Sequence, residues 1–232
     1  MPAAFARFCP VSLRICAVVA MVATVAASPA ARDATGRVVG RVRLAAVKSS
    51  RPLAIAYASR TLTAPGTPDL EIRNVVIYLD DVPATTVPPR QHEMRQQNEL
   101  FVPHVLPIAR GASVAFPNAD PYFHNVFSLS RASRFDLGRY PRGESRVRTF
   151  TRPGLVKVFC HLHSEMSAVI LVLDHPWFTK PDDDGTFVIE GVPAGSRTVT
   201  AWHERIGEAR TRVDVPAGGE VAVEFVLPVV ES

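Results

Sequence analysis

The chain holds three cysteines in 232 residues, and two of them, Cys9 and Cys16, fall within its first 27. With that opening stretch removed, Cys160 stands alone and no intramolecular disulfide can form. Long apolar runs are missing as well. The uncharged run from Ile15 to Ala27 covers thirteen residues, short of the ~20 that a membrane-spanning helix needs. No segment keeps a 3.6-residue apolar period over several turns, which excludes a helical bundle. Charge of one sign is scarce: 26 Lys and Arg stand against 22 Asp and Glu, for a formal net charge of +4. The basic residues read as scattered through strands (Arg37, Arg41, Arg43, Arg146, Arg148, Arg210, Arg212), without the basic, aromatic-interleaved patch of a nucleic-acid binder.

The opening stretch carries Arg7 and Arg14 with no acidic side chain, then Ile15 to Ala27, ending with Val25 and Ala27 placed as in a small-residue cleavage site. Residues 1–27 therefore read as a secretory signal peptide. The expected location is the periplasm, with no stable membrane insertion after cleavage. Cys160 would then be an odd thiol in an oxidising compartment, a liability unless it is buried and inert or ligated.

What is present is a series of strand signals. Gly36 to Leu44 and Arg73 to Leu79 alternate with period two, as half-buried strands do. Between them, residues 48–72 carry Pro52, Pro65, Gly66 and Pro68 and read as a surface excursion. Arg90 to Asn98 is expected to form a short helix or an edge segment. Pro103 and Pro107 place Leu100 to Ile108 at a sheet edge, because proline donates nothing to a ladder. Further strands are expected at 112–116, 145–151, 155–160 and 168–173, with Ser128 to Glu144 as a long polar connection and His124 in a loop. In the 155–160 strand, Val156, Val158 and Cys160 share one face, so the sulfur follows the valines into the core. After a crossing at 174–181, strands are expected around 186–190, 197–203, 209–215 and 221–227. The fold class is all-β, of the sandwich type.

One stretch carries chemistry: Phe159-Cys160-His161-Leu162-His163-Ser164-Glu165-Met166 gathers a thiol, two imidazoles and a thioether at the end of an apolar strand. Two histidines, a cysteine and a weakly bound methionine are the ligand set of a mononuclear copper site that moves between Cu(I) and Cu(II). Cys160, His163 and Met166 supply three ligands, and His124, in Phe123-His124-Asn125-Val126, supplies the fourth. His161 follows Cys160 directly and by alternation points away from the ion, toward the surface, with an auxiliary role in metal uptake as the sharper alternative. His104 is the reserve candidate, while His92, His175 and His203 are isolated. Asp182-Asp183-Asp184 lacks the spaced carboxylates and closing glutamate of a calcium loop and reads as a solvated turn.

Residues 98–174, through Arg110-Gly-Ala-Ser-Val-Ala-Phe-Pro-Asn118, the His124-Asn125-Val126 triplet and the Cys160-x2-His163-x2-Met166 loop, resemble the cupredoxins, the small blue-copper proteins of amicyanin and plastocyanin type. The short ligand loop is closer to the amicyanin form. The resemblance implies a Greek-key sandwich, one copper ion, ligands at His124, Cys160, His163 and Met166, and an Asn125 that ties the two ligand loops together. It also implies an electron carrier rather than an enzyme, exchanging electrons with protein partners such as a c-type cytochrome or a periplasmic dehydrogenase. Leu162 before His163 and Ser164-Glu165 after it depart from the proline-bearing loops of that family, so redox potential does not carry over. Exported methylamine-utilisation-like proteins look similar along more of the chain.

The stretch from Asp182 to Trp202 resembles the carboxypeptidase regulatory-like, or transthyretin-like, sandwich, whose opening strands would be Gly36 to Leu44 and Asn74 to Leu79. Neither half has enough strands to close a core alone. The expected organisation is therefore a cupredoxin module, 98–174, inserted into a smaller sandwich made of 34–82 and 176–228. The functional expectation is a periplasmic type 1 copper protein carrying single electrons, the alternative being copper delivery or storage with His161 and Met94 as transient contacts. A β-sandwich without metal is a further reading.

Overall fold

The computed structural model describes residues 34–48 and 71–231. The signal peptide expected at 1–27 and nearly all of the proline-rich excursion lie outside them. Strand β1 (Thr35–Lys48) and strand β2 (Val76–Leu79) come first. Next are β3 (Gln91–Glu93), β4 (Arg95–Gln97), β5 (Leu100–Val102), β6 (Val105–Ala109), β7 (Ser113–Pro117) and β8 (His124–Ser128), then β9 (Phe135–Tyr140), β10 (Ser145–Thr149), β11 (Gly154–Phe159) and β12 (Ser167–Leu173). The chain returns with β13 (Phe178–Thr179), β14 (Thr186–Pro193), β15 (Gly195–His203), β16 (Gly207–Val215) and β17 (Glu220–Glu231). The protein is an all-β sandwich structure.

A three-stranded sheet ordered β10-β7-β3 and a five-stranded sheet ordered β6-β12-β11-β8-β9 share a core that includes Phe116, Val126, Tyr140, Phe150, Val158 and Ile170. Period-two alternation builds it: Val156 and Val158 of β11 are fully buried while Lys157 between them is exposed. Each such aliphatic side chain taken out of water contributes roughly 1.5–3 kcal/mol. As Pro103 and Pro107 suggested, β6 is an edge strand, and β12 lies between β6 and β11.

A second core lies between the sheets β14-β1-β17 and β13-β2-β15-β16. It joins Val38 and Val42 of β1 to Ile77 and Leu79 of β2, and to Phe187, Ile189, Val199 and Phe225 from the C-terminal strands. Strand β1 is the centre of its sheet, antiparallel to β14 and parallel to β17. Gly40 sits where these three strands press closest, since a Cβ there would lie 2.0 Å from the Val223 carbonyl oxygen and 2.7 Å from the Phe187 ring.

Strand β2 is apolar on both faces, and the fold uses both. Ile77 and Leu79 enter the second core, whereas Val76 packs with Val105 of β6 and Val169 of β12, flanked by Tyr78, Leu155, Leu171 and Trp202. The described residues of the two sandwiches therefore share a small apolar seam within one compact unit.

One expectation is corrected and one choice between alternatives is decided. Residues 128–144 are not only a polar connection, because they contain β9, paired antiparallel with β8. Its period-two pattern is hidden by Gly138, which takes φ +71° in mid-strand. Residues 90–98, expected as a helix or an edge segment, form the short strands β3 and β4, with β3 at a sheet edge.

Candidate metal centre

Strand β11 delivers Cys160. With Val156 and Val158 facing the core, alternation carries the thiol inward, and Cys160 is 6% exposed. Past it the chain turns sharply: the Cys160 N–H donates to the Met166 carbonyl at 3.1 Å and the Met166 N–H donates to the His163 carbonyl at 3.1 Å. This closure swings His163 back beside the sulfur and buries Met166, 1% exposed, in the core that holds Cys160.

His124 arrives from the neighbouring strand. It is the first residue of β8 and fully buried, not a loop residue as expected. Its Nδ1 and the Nδ1 of His163 each stand 3.8 Å from Cys160 Sγ, with the two rings 4.7 Å apart at 61°. The three donor atoms lie within 4.8 Å of one another, a cluster that could hold a metal ion. Metal bonds of about 2.0 Å to nitrogen and about 2.3 Å to sulfur, the values for a borderline divalent ion, separate N and S by about 3.7 Å across a trigonal angle. The donors fit a small transition-metal ion.

The site is braced by residues the sequence did not single out. His124 Nε2 lies 2.8 Å from Asp120 Oδ2, and since a carboxylate only accepts, Nε2 carries the hydrogen and Nδ1 keeps its lone pair for the metal. Asp120 is itself 5% exposed and accepts from the backbone N–H groups of Asn98 and Glu99 at 2.6 and 2.9 Å. Burial pushes the Asp120 carboxyl up, but the two N–H groups and His124 outweigh it and hold the group below the usual carboxylate range. A histidine whose outer nitrogen is bonded to a carboxylate is fixed in tautomer and orientation.

Asn125, singled out from the sequence, ties β9 to the ligand loop. Its Nδ2 donates to Asp136 of β9 at 2.7 Å and its Oδ1 accepts from the His161 N–H at 3.3 Å. His161 is exposed and its ring stacks flat on Phe127, with centroids 3.7 Å apart, outside the three-donor cluster. Tyr140, opposite His124 in the ladder, donates to the Phe116 carbonyl at 2.8 Å and accepts from Gln96 at 2.6 Å; burial pushes its phenol up. Asp120 and Gln96 left no legible signal, because Asp120 precedes His124 by four residues in a stretch with no helical turn to give that spacing meaning.

The other histidines stay apart. His104 faces the Ser167 carbonyl at 3.1 Å and Glu204 at 3.0 Å, and His203 is buried against Glu71 at 3.1 Å. His175 takes the Trp177 N–H at 3.2 Å. Asp183 and Asp184 meet Arg73 and Arg41 in ion pairs, as a surface turn does. Met94, weighed with His161 as a transient copper contact, is fully buried in the core. Around the site, Tyr122, Phe123 and Leu162, the near neighbours of His124 and His163 in sequence, are exposed, and His163 is half-buried.

No family model matches the chain, and no curated protein does. Among solved structures it is similar to a proline-to-phenylalanine variant of amicyanin in the reduced state, with a TM-score of 0.33 and 19% identity over 35% of this chain and 81% of that one. The Cu(I) form of a methionine-to-alanine amicyanin variant gives 0.34 and 16%, over 35% and 81%. A purple cupredoxin from Nitrosopumilus maritimus gives 0.32 and 22%, over 36% of this chain and 98% of that one. Among the described residues no helix is long and apolar enough to cross a membrane.

Proposed function

We propose that the protein is a type 1 copper protein that carries single electrons between protein partners, with His124, Cys160, His163 and Met166 holding one ion. The observation that carries this reading is the convergence of two imidazole Nδ1 atoms and one thiol on a common point, all within 4.8 Å. This donor set, with a methionine buried at the loop's end, is the one that suits copper electron transfer. Copper would supply a one-electron couple between Cu(I) and Cu(II).

The chain's part is to keep the donors still. Asp120 fixes the ring of His124, and the backbone hydrogen bonds from Cys160 to Met166 and from Met166 to His163 close the ligand loop. Asn125 joins the backbone of that loop to β9. Donors held on strands and short closed turns move little when the ion changes charge, so little reorganisation opposes transfer. The half-buried His163 is taken as the way out for the electron, its sequence neighbour Leu162 and, beside His124, Tyr122 and Phe123 being exposed. The reading is of a carrier, not an enzyme. Residues 98–174 are taken as a cupredoxin-type module inserted into a regulatory-like sandwich of 34–82 and 176–228, a division supported by the mixed origin of the second core. Export to the periplasm rests on the composition of residues 1–27, and c-type cytochromes or periplasmic dehydrogenases are the partner classes that suit such a carrier.

Copper delivery or storage is the second reading, favoured by the exposed His161 beside Cys160. Voltammetry of the copper-loaded protein separates the two. A reversible one-electron wave with the ion retained against a chelator supports the carrier; irreversible reduction with loss of the ion supports delivery.

A further inference from the structure

The basic side chains are less evenly spread than their strand positions suggest. Between Arg131 and Arg152 the chain carries seven arginines, no lysine and two carboxylates, Asp136 and Glu144, an excess of five in a protein whose formal net charge is +4. The fold gathers them on one side. Strand β9 is the edge of the five-stranded sheet and β10 the edge of the three-stranded one, so the β9–β10 connection runs along one flank of the sandwich. At one end Tyr140 pairs with His124, which places Arg139 and Arg142 beside the metal end. At the other end Arg131 and Arg152 line one cleft of 520 Å³ with Ala132, Pro153 and Leu155. The six residues of β9 separate the two ends by roughly 20 Å.

Among the described residues these charges have no carboxylate partner. Elsewhere among the described residues, seven of eleven arginines (Arg37, Arg41, Arg73, Arg95, Arg110, Arg205 and Arg210) have a carboxylate within 4.0 Å, and the four that do not, Arg43, Arg90, Arg197 and Arg212, are scattered along the sequence. None of the seven arginines of the flank appears in such a pair. Asp136, the carboxylate on β9, is occupied by Asn125 and by the Gly138 N–H. Arg146 and Arg148 lean inward over Tyr140 and Phe135, leaving Arg131, Arg134, Arg139, Arg142 and Arg152 exposed. Charges on edge strands guard against edge-to-edge pairing, yet that role does not account for the loop residues Arg131, Arg134, Arg142 and Arg152.

We infer that this arginine flank is a docking face for the acidic surface of a protein redox partner. The identity of the partner as a redox protein rests on the electron-carrier reading; its acidic character rests on the flank alone. Guanidinium groups bind carboxylates as two-pronged forks, which suits an all-arginine face. An uncompensated field of one sign also speeds encounter with an oppositely charged protein by about ten- to a thousandfold, falling with salt. Such attraction would bring the acidic partner to a flank whose Arg139 end lies beside His124.

The test is a titration of the isotopically labelled full chain with poly-L-glutamate, followed by amide chemical shifts at low and high salt. Shifts confined to residues 131–152, with affinity weakened about tenfold or more by added salt, are expected. Arg139→Glu/Arg142→Glu should weaken binding by a similar factor, while Arg43→Glu, on β1 of the other sandwich, should not. Shifts scattered over the surface, or equal weakening by Arg43→Glu, would overturn the docking face as general charge attraction. Tighter capture of the same flank by phosphatidylglycerol vesicles or by duplex DNA would overturn the acidic protein as occupant. Binding is read on the copper-free protein and colour on the same protein given one equivalent of Cu(II), so polyglutamate binding at the flank with no blue colour on loading would sink the electron-carrier reading and leave the face standing; a blue protein that ignores polyglutamate would do the reverse.

Discussion

His124 stands in the core with one nitrogen turned toward Cys160 and the other toward Asp120, and that second contact decides how firmly the first is aimed. Asp120→Asn keeps the shape and removes the charge that fixes the tautomer. Loss of such a partner costs about 10- to 100-fold in metal affinity, and competition with a copper chelator would measure it; an unchanged affinity would show that the carboxylate is ornamental. Asn125 works differently, as a strut between β9 and the backbone of the ligand loop. Asn125→Ala leaves the Asp136 carboxylate and the His161 N–H each short of a partner, so unfolding stability should fall by about 1–3 kcal/mol in a denaturant titration.

Among the elements, the turn Asp182–Gly185 shows how strands are brought to register. Gly185 holds φ +86°, and its carbonyl accepts the Val42 N–H at 2.9 Å. A Cβ at this position would sit 2.2 Å from the Val42 carbonyl oxygen. Gly185→Ala therefore meets both a left-handed backbone and a clash with β1. Its cost should be at least about 1–3 kcal/mol, visible as a lowered midpoint of unfolding, and a neutral substitution would mean that this turn bends freely. Strands with clean alternation were legible in the sequence for the reason they are stable: Val38 and Val42, or Val156 and Val158 with Cys160, each commit one face to a core. Strand β9 was not legible, since Gly138 and the surrounding arginines imitate a loop. The Cys160-to-Met166 loop could be read because its residue types are rare together, whereas Asp120 and Gln96 act through a fold that brings distant segments into contact.

At the level of the whole molecule, the two sandwiches meet over Val76, Val105 and Val169, and polar contacts frame the seam. His104 reaches Glu204, and Lys180 Nζ donates to the Val105 carbonyl at 2.9 Å. Burial, helped by Arg73, pulls Lys180 down from 10.5 to about 8. A lysine lowered in the fold destabilises the native state wherever it must be protonated. Between about pH 8 and pH 10.5 the unfolded chain binds the extra proton, so stability should rise with pH across that window. Lys180→Met should flatten the rise in urea titrations at pH 8 and pH 10. An identical slope in the variant would place the titrating group elsewhere.

The central claim is that Cys160 binds copper between His124 and His163. The most direct measurement is the visible absorption and electron paramagnetic resonance of the purified protein with one equivalent of Cu(II), beside Cys160→Ser. The account predicts an intense thiolate-to-copper band with narrow hyperfine splitting in the parent and neither feature in the variant. A pale, ordinary Cu(II) spectrum, the same in both proteins, would contradict it.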